Sequence, residues 1–339
     1  SIQEAEARLR QANAQYARDR SGLFPTIDLE AGASSAESDT TDAGRQTAEN
    51  YSLGLAGSYE LDLWGRVHAT RRASALDAQA AREDFQTAAM TISASVAENW
   101  IRLAAGSAQR RLLLDQLETN RTILELMQLR FRNAQASALD VYQQEQTVAE
   151  VEALLPLNDA ELAARRHQIA VLLGLPPQAP PELKVCDLPE PIPLPPLGIP
   201  ADLLAERPDV RAAGLRLQAA ELGAEAAKAN RLPRISIVAG AGYESADAGT
   251  LFDNWLLNLA GNLVLPVIDG GSLRAEARRT QALSDERLAA YRRTVYEAVL
   301  DVEDALVRES RQAEHVRAVA RQLDLARRAL DEARNRYRN

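Results

Sequence analysis

Tyr51-Ser52-Leu53-Gly54-Leu55-Ala56-Gly57-Ser58-Tyr59-Glu60-Leu61-Asp62-Leu63 alternates in character from end to end. Its odd positions are Tyr51, Leu53, Leu55, Gly57, Tyr59, Leu61 and Leu63; the even ones are Ser52, Gly54, Ala56, Ser58, Glu60 and Asp62. Successive side chains of an extended chain point to opposite faces, so this period of two predicts a strand with one apolar and one polar face. Three further stretches read the same way. Ile27, Leu29 and Ala31 alternate with Asp28, Glu30 and Gly32, while Ile235, Ile237, Ala239, Ala241 and Tyr243 alternate with Ser236, Gly240, Gly242 and Glu244. Trp255, Leu257, Leu259, Leu263 and Leu265 share the last apolar face, opposite a mixed set of Leu256, Asn258, Ala260, Asn262 and Val264. The four strands are expected at about 24–34, 51–63, 232–244 and 254–267.

Strands of this length are long for a soluble sheet and suit a tilted crossing of a bilayer. Aromatics stand toward strand ends, at Tyr51, Tyr59, Tyr243 and Trp255, where a membrane interface would place them. A soluble four-stranded sheet covered by helices is the plain alternative. If the strands do span a bilayer, they must close into a barrel, because an open edge leaves backbone groups unpaired in hydrocarbon. Four strands cannot close, since about eight is the minimum. The membrane reading therefore requires several copies sharing one barrel. The faces bearing Asp28, Glu30, Glu60, Asp62 and Glu244 would then line a wet, negative pore that prefers cations.

Outward from the strands, the chain repeats itself. Phe24-Pro25-Thr26-Ile27 returns as Leu232-Pro233-Arg234-Ile235, Tyr51-Ser52-Leu53-Gly54 as Trp255-Leu256-Leu257-Asn258, and Arg130-Phe131-Arg132-Asn133 as Arg336-Tyr337-Arg338-Asn339. The offsets are 208, 204 and 206 residues. Each half reads as a helix, two strands joined by a loop, then a very long helix. The first long helix is predicted over 67–133, and at 1.5 Å per residue it would run for roughly 100 Å. A return helix over 139–173 follows a turn near 134–137, and the second half repeats the long helix over 272–339. The expected organisation is a first repeat at 1–175, a connector at 176–200, and a second repeat at 201–339 that lacks the return helix of the first. The opening residues Ser1-Ile2-Gln3-Glu4 read as the start of a polar helix and not as a signal peptide, so an exported protein is expected to be already trimmed at its front end. Ten of the fifteen prolines lie in the connector, which predicts an extended polyproline-type segment.

Composition narrows the class. Aromatics are 4% of the 339 residues, and Ala and Arg recur through stretches with neither Gly nor Pro, as in long helices packed through small side chains. A net charge of −9 argues against a nucleic-acid partner. The single cysteine, Cys186, excludes a disulfide framework. His68, His167 and His315 are far apart on helices and read as solvated positions, so no metal or cofactor is expected. No apolar run is long enough for a transmembrane helix. No nucleophile–base pair or phosphate loop is present, and an enzyme is not expected.

Ile199-Pro200-Ala201-Asp202-Leu203-Leu204-Ala205-Glu206-Arg207-Pro208-Asp209-Val210-Arg211-Ala212-Ala213 resembles the mid-chain signature of the TolC-like outer membrane factors. Tyr59-Glu60-Leu61-Asp62-Leu63-Trp64-Gly65-Arg66, Leu172-Leu173-Gly174-Leu175-Pro176 and Pro266-Val267-Ile268-Asp269-Gly270-Gly271 match in the same order. The branch resembled is the one that works with resistance-nodulation-division pumps. The resemblance implies a mixed α and transmembrane β fold. It also implies a homotrimer with a shared twelve-strand β-barrel in the outer membrane of a Gram-negative bacterium, and an α-helical barrel in the periplasm. Such a duct meets outer-membrane lipid, a periplasmic adaptor and an inner-membrane pump, and it exports small molecules such as drugs or metal ions without catalysis. Its periplasmic tip turn would correspond to the turn bearing Ser137, Leu139 and Asp140, with Ser137 and Asp140 as a capping pair and the turn itself meeting the adaptor. Family members often carry a lipid-bearing N-terminal cysteine, which is absent at Ser1. Arg207, Pro208 and Asp209 read as structural, a helix start after the connector. Two other readings stand beside this one: a duct for type I protein secretion, and a soluble helical scaffold built on coiled coils.

Overall fold

A computed structural model describes residues 1–40, 44–183, 188–189 and 206–338. Its elements are α1 (Ile2–Ser21), β1 (Thr26–Thr40), β2 (Gly44–Leu61), α2 (Arg66–Arg132), α3 (Ala138–Leu172), α4 (Pro208–Ala229), β3 (Arg234–Ser245), β4 (Trp255–Val264) and α5 (Ser272–Arg338). Most of the proline-rich connector, with Cys186 and the signature residues 199–205, lies outside the described residues. Among the described residues, no helix is long and apolar enough to cross a membrane.

The strands form one antiparallel sheet in the order β1-β2-β3-β4, so β1 and β4 are its two edges. The first pair is longer than the alternation suggests. β1 runs on to Thr40 and β2 starts at Gly44, and residues expected in a loop pair from Ser34↔Asn50 to Thr40↔Gly44. β3 reaches only Ser245, opposite Tyr51. The pairing beyond Tyr51 is therefore a two-stranded ribbon of mostly polar residues, held by backbone hydrogen bonds rather than by the period-two pattern that revealed the rest.

Contacts divide the chain into two compact units, with the boundary inside α2 between Asp84 and Phe85. The unit made of residues 8–84 and 199–339 holds the sheet together with α4 and α5. α4 starts with Pro208 in its first turn and is tied to α2 by Arg211–Glu83 at 2.5 Å and by an Arg216–Asp84 pair. Its buried face is Val210, Ala212, Ala219, Ala224, Ala226 and Ala227. Alanine has little to bury, so these helices gain by close approach rather than by large side chains. The other unit, residues 1–7 and 85–198, is built on the α2–α3 hairpin, with Leu103, Leu113 and Leu117 packed among Val148, Val151, Leu162 and Ile169. α3 ends where Gly174 adopts φ +78° and the amide of Leu175 closes on the carbonyl of Ala170 at 2.8 Å, a glycine-terminated helix end.

Candidate pore wall and membrane face

The register decides which side chains share a face. Ile27 lies opposite Gly57, Leu29 opposite Leu55, Leu55 opposite Ala241, and Ala241 opposite Leu257. Where all four strands pair, between Tyr51 and Leu61 of β2, the odd residues therefore fall on one face: isoleucine, leucine, alanine, tyrosine and tryptophan, with Gly57 and Gly261 among them. Among the described residues nothing covers that face. Leu29 is 72% exposed, Leu257 65% and Leu259 76%, a continuous apolar surface of a kind that marks an interaction with lipid or protein. Tyr51, Tyr243 and Trp255 gather at one end of it, with Phe252 edge-on to Tyr243 at a ring separation of 5.3 Å. Tyr59 stands near the other end. The eight steps from Tyr51 to Tyr59 span roughly 27 Å along the strand, or about 20 Å once the strand tilts, near the ~25 Å apolar band of outer-membrane barrels.

The even face is its opposite. Asp28, Glu30, Glu60 and Glu244 share it with Ser52, Ser58, Ser236 and Asn258. Its centre has few side chains at all, because Gly54 pairs with Gly242 and Ala56 with Gly240. A Cβ on Gly242 would stand 2.7 Å from the Cα of Gly54 and from the carbonyl oxygen of Leu53, and one on Gly240 would stand 2.6 Å from the Asn258 amide. Glycines in strands mark bends and close backbone approach, and here they let the sheet draw in toward the even side. A trough of about 240 Å³, lined in part by Glu30, Gly54, Gly242, Glu244 and Asn258, lies on this face. The glycines stand at the polar positions of the alternation, but the seam between β2 and β3 needs the register.

The five carboxylates do not share one role. Asp28 and Glu30 are exposed on the polar face without an ion-pair partner among the described residues. Glu244 accepts a hydrogen bond from Asn50 Nδ2 at 2.9 Å. Glu60 is held in a two-pronged pair by Arg66, at 3.0 and 2.7 Å, so its charge is matched. Asp62 departs furthest from the expected pore wall. It lies beyond the end of β2, its side chain is only 8% exposed, and its oxygens accept from the amides of Val67 and His68 at 3.0 and 2.8 Å. His68 Nδ1 also lies 2.6 Å from it. Asp62 caps the start of α2, where the free amides and the helix dipole favour a carboxylate. Gly65, at φ +72°, makes the turn, and the Trp64 indole donates to the carbonyl of Pro233 at 2.7 Å.

At the hairpin turn the capping pair is reciprocal. Ser137 Oγ accepts from the amide of Asp140 at 3.2 Å, and Asp140 Oδ2 accepts from the amide of Ser137 at 2.8 Å. That hydrogen bond holds the Asp140 carboxyl below its usual range. Leu139, Tyr142 and Phe131 are exposed beside it, an apolar patch on the turn. Arg207, Pro208 and Asp209 start α4 as expected, and the structure adds a clamp that sequence reading missed. Arg207 donates to Asp209 at 3.1 and 2.8 Å, to Asp301 on α5 at 3.0 Å, and to the carbonyl of Ala298 at 3.4 Å. The guanidinium beside it lowers the Asp209 carboxyl, and the same bond raises Arg207. Asp301 lies 94 residues away in the chain, and no local pattern could link the two.

The sheet has two edge strands, an exposed apolar face and a polar face that bears a trough. The chain matches the family described as Outer membrane efflux protein over residues 1–175 and 199–339. The chain belongs to that family. Over 310 residues it is 32% identical to the pyoverdine export outer membrane protein OpmQ of Pseudomonas putida, covering 89% of this chain and 66% of that protein. It is 30% identical to OpmQ of Pseudomonas aeruginosa, covering 98% and 72%, and 31% identical to the toluene efflux pump outer membrane protein TtgF of Pseudomonas putida, covering 85% and 61%. This member of the outer membrane efflux protein family thus spans roughly two thirds of the length of these curated relatives. The solved outer-membrane channel OprN superposes with a TM-score of 0.91 at 29% identity, covering 99% of this chain and 77% of that one. The Neisseria gonorrhoeae MtrE channel in its open state has the same fold, with a TM-score of 0.88 at 23% identity and coverage of 100% and 76%. The fold is that of the TolC-like outer-membrane channels, and the protein is placed in the outer membrane.

Proposed function

We propose that this chain is one protomer of a homotrimeric exit duct that conducts small molecules passively out of the cell. The carrying observation is the sheet itself: one exposed apolar face, one polar face, and edge strands β1 and β4. Three copies would join β4 of one protomer to β1 of the next and close twelve strands, which leaves no backbone group unpaired in hydrocarbon. Tyr51, Tyr243 and Trp255 would sit at one interface and Tyr59 at the other. The long helices would continue the duct into the periplasm, and the turn at Ser137, Leu139 and Asp140, with its exposed apolar side chains, would meet an adaptor that links the duct to an inner-membrane pump. The relatives are named for pyoverdine, toluene and antibiotic export at similar identities, which favours a permissive lumen with selection made at the pump.

The experiment is the protein-only mass of the complete mature protein in detergent, followed by conductance in planar bilayers. A mass near three protomers and an open pore are expected; a monomer, or a species soluble without detergent, would overturn the reading. The lumen should prefer cations because Asp28, Glu30 and Glu244 repeat around it. Since Glu60 and Asp62 are engaged elsewhere, the sensitive variant is Asp28→Asn with Glu30→Gln. It should move the reversal potential in a salt gradient toward zero, and an unmoved potential would remove these residues from the conduction path.

A further inference from the structure

We propose that the groove between α2 and α3 flanked by Arg110 and Arg166 binds an elongated molecule with an acidic group at each end, a dicarboxylate with an apolar middle. The groove has a volume of about 530 Å³, within the size range of small-molecule sites, and lies wholly in the unit built on the hairpin. Its lining includes Arg110 and Arg111 of α2 with Asp159, Leu162, Ala163 and Arg166 of α3. Three guanidinium groups stand there beside one carboxylate, in a chain whose net charge is −9. Between the charges the lining is apolar. Leu162 packs in the cluster with Leu103 and Ile169, and Ala163 lies next to it.

The two arginines at its ends have bonding capacity to spare. Elsewhere on the hairpin, Arg102, Arg121 and Arg165 are matched by Glu98, Glu152 and Glu161. Arg166 has no ion-pair partner among the described residues. Arg110 is matched only in part. Its Nε donates to Asp159 Oδ1 at 2.7 Å, and its two terminal nitrogens have no partner among the described residues. Arg66 and Arg207, by contrast, grip Glu60 and Asp209 through two nitrogens each. One bond therefore positions Arg110 and leaves it donors for a second acceptor. A guanidinium fork suits a carboxylate better than any other group of the chain does.

Geometry sets the length of the ligand. Asn158 Nδ2 donates to the carbonyl of Gly106 at 3.3 Å, which aligns the two antiparallel helices. On that alignment Arg110 is level with Leu154, and Arg166 stands about 18 Å further along the axis. Side chains on a helix tilt toward its N-terminus, so on antiparallel helices these two lean toward each other over Leu162 and Ala163. The bond to Asp159, which is level with Ala105, shows that lean for Arg110. A short dianion cannot meet both arginines, and a monoanion meets one. A chain of methylene groups between two carboxylates meets both and covers the apolar stretch between them.

Equilibrium dialysis of radiolabelled azelate, a long α,ω-dicarboxylate, against the complete mature protein in detergent tests this, with protein-free micelles as the blank. Low ionic strength keeps screening small. Saturable binding is expected, displaced about tenfold more readily by unlabelled azelate than by succinate, which is too short, or by hexanoate, which has one charge. Arg166→Gln removes one end of the site without breaking an ion pair, so the protein should be recovered folded and bind azelate about tenfold more weakly. Arg110→Gln should weaken it to a similar degree. Succinate and hexanoate competing as well as azelate would reduce the groove to a diffuse counter-ion surface and overturn the proposal. Unsaturable binding, or undiminished affinity in Arg166→Gln, would overturn it as well.

Discussion

Where β2 passes into α2, Asp62 sets its carboxylate on the amides of Val67 and His68; where β4 passes into α5, Asp269 does the same for Gly271 and Leu273, 207 residues later. Both junctions turn on glycines in the left-handed region, Gly65 in the first and Gly270 with Gly271 in the second. Beyond that they diverge. The first is braced by Arg66 on Glu60, by His68 on Asp62 and by Trp64 on Pro233. In the second, the position matching Glu60 is Val267 and that matching Arg66 is Leu273, and Val267 and Ile268 are 84% and 93% exposed. The repeat has copied the local chemistry that converts strand to helix, but not the surroundings. β2 lies between two strands of its own chain, whereas β4 is an edge. A junction in the interior finds its partners within the chain, and one at the edge presents apolar side chains to whatever covers that edge.

The largest difference is expected between the seam that β3 makes with β2 and the open apolar face of β4. Gly242→Val, in β3, puts a side chain against the backbone of β2 at a distance no rotamer relieves, and should cost more than about 3 kcal/mol. Gly261→Val in β4 meets open space on the apolar face and should change stability by no more than ~0.5 kcal/mol. The check is the amount of folded protein recovered from outer membranes. Equal recovery for the two would mean that the interior seam is no tighter than the edge.

The caps come next. Asp62→Ala should cost about 1–2 kcal/mol, and Asp269→Ala less, as judged by thermal unfolding in detergent. Burial pulls the Asp62 carboxyl upward, yet the amide and ring of His68 and the amide of Val67 outweigh it, and the group sits below the usual carboxylate range. The amides of Leu273 and Gly271 likewise hold Asp269 down. A carboxyl lowered in the folded state contributes stability that is present above its unfolded value, near ~3.9, and is lost as pH falls through the folded value. Apparent Tm should therefore drop below about pH 4, and less steeply in Asp62→Asn. An unchanged slope would show that the cap is not linked to unfolding.

Much of this was legible in the residues, and what was not has a physical cause. Alternation at 51–63 and 235–243 marked the strands because burial in a bilayer demands strict faces. The ribbon that pairs Ser34–Glu37 with Thr47–Asn50 escaped because its residues are mostly polar on both faces and impose no period. The Ser137–Asp140 cap was readable because capping is local in sequence. The role of Asp62 was not: alternation alone assigned it to the polar face, while the neighbouring Gly65 and the start of α2 had already moved it off the strand. The Arg207–Asp301 clamp and the Gly54–Gly242 seam join residues about 90 and 190 positions apart, and only the assembled register shows them.

The smallest effect is the most informative about why the junctions differ. Glu60 and Arg66 make a two-pronged pair, each side chain about one quarter exposed, so water screens part of the attraction. Glu60→Gln, Arg66→Gln and the double variant should give a coupling of about 0.5–1 kcal/mol in apparent stability. If the coupling is found, the interior junction gains rigidity from a partner that the second repeat replaced with Val267 and Leu273, and the edge junction depends on its neighbour for the same support. A coupling of zero would leave Asp62 and Trp64 as the only braces that count, and the two junctions would then differ in exposure alone.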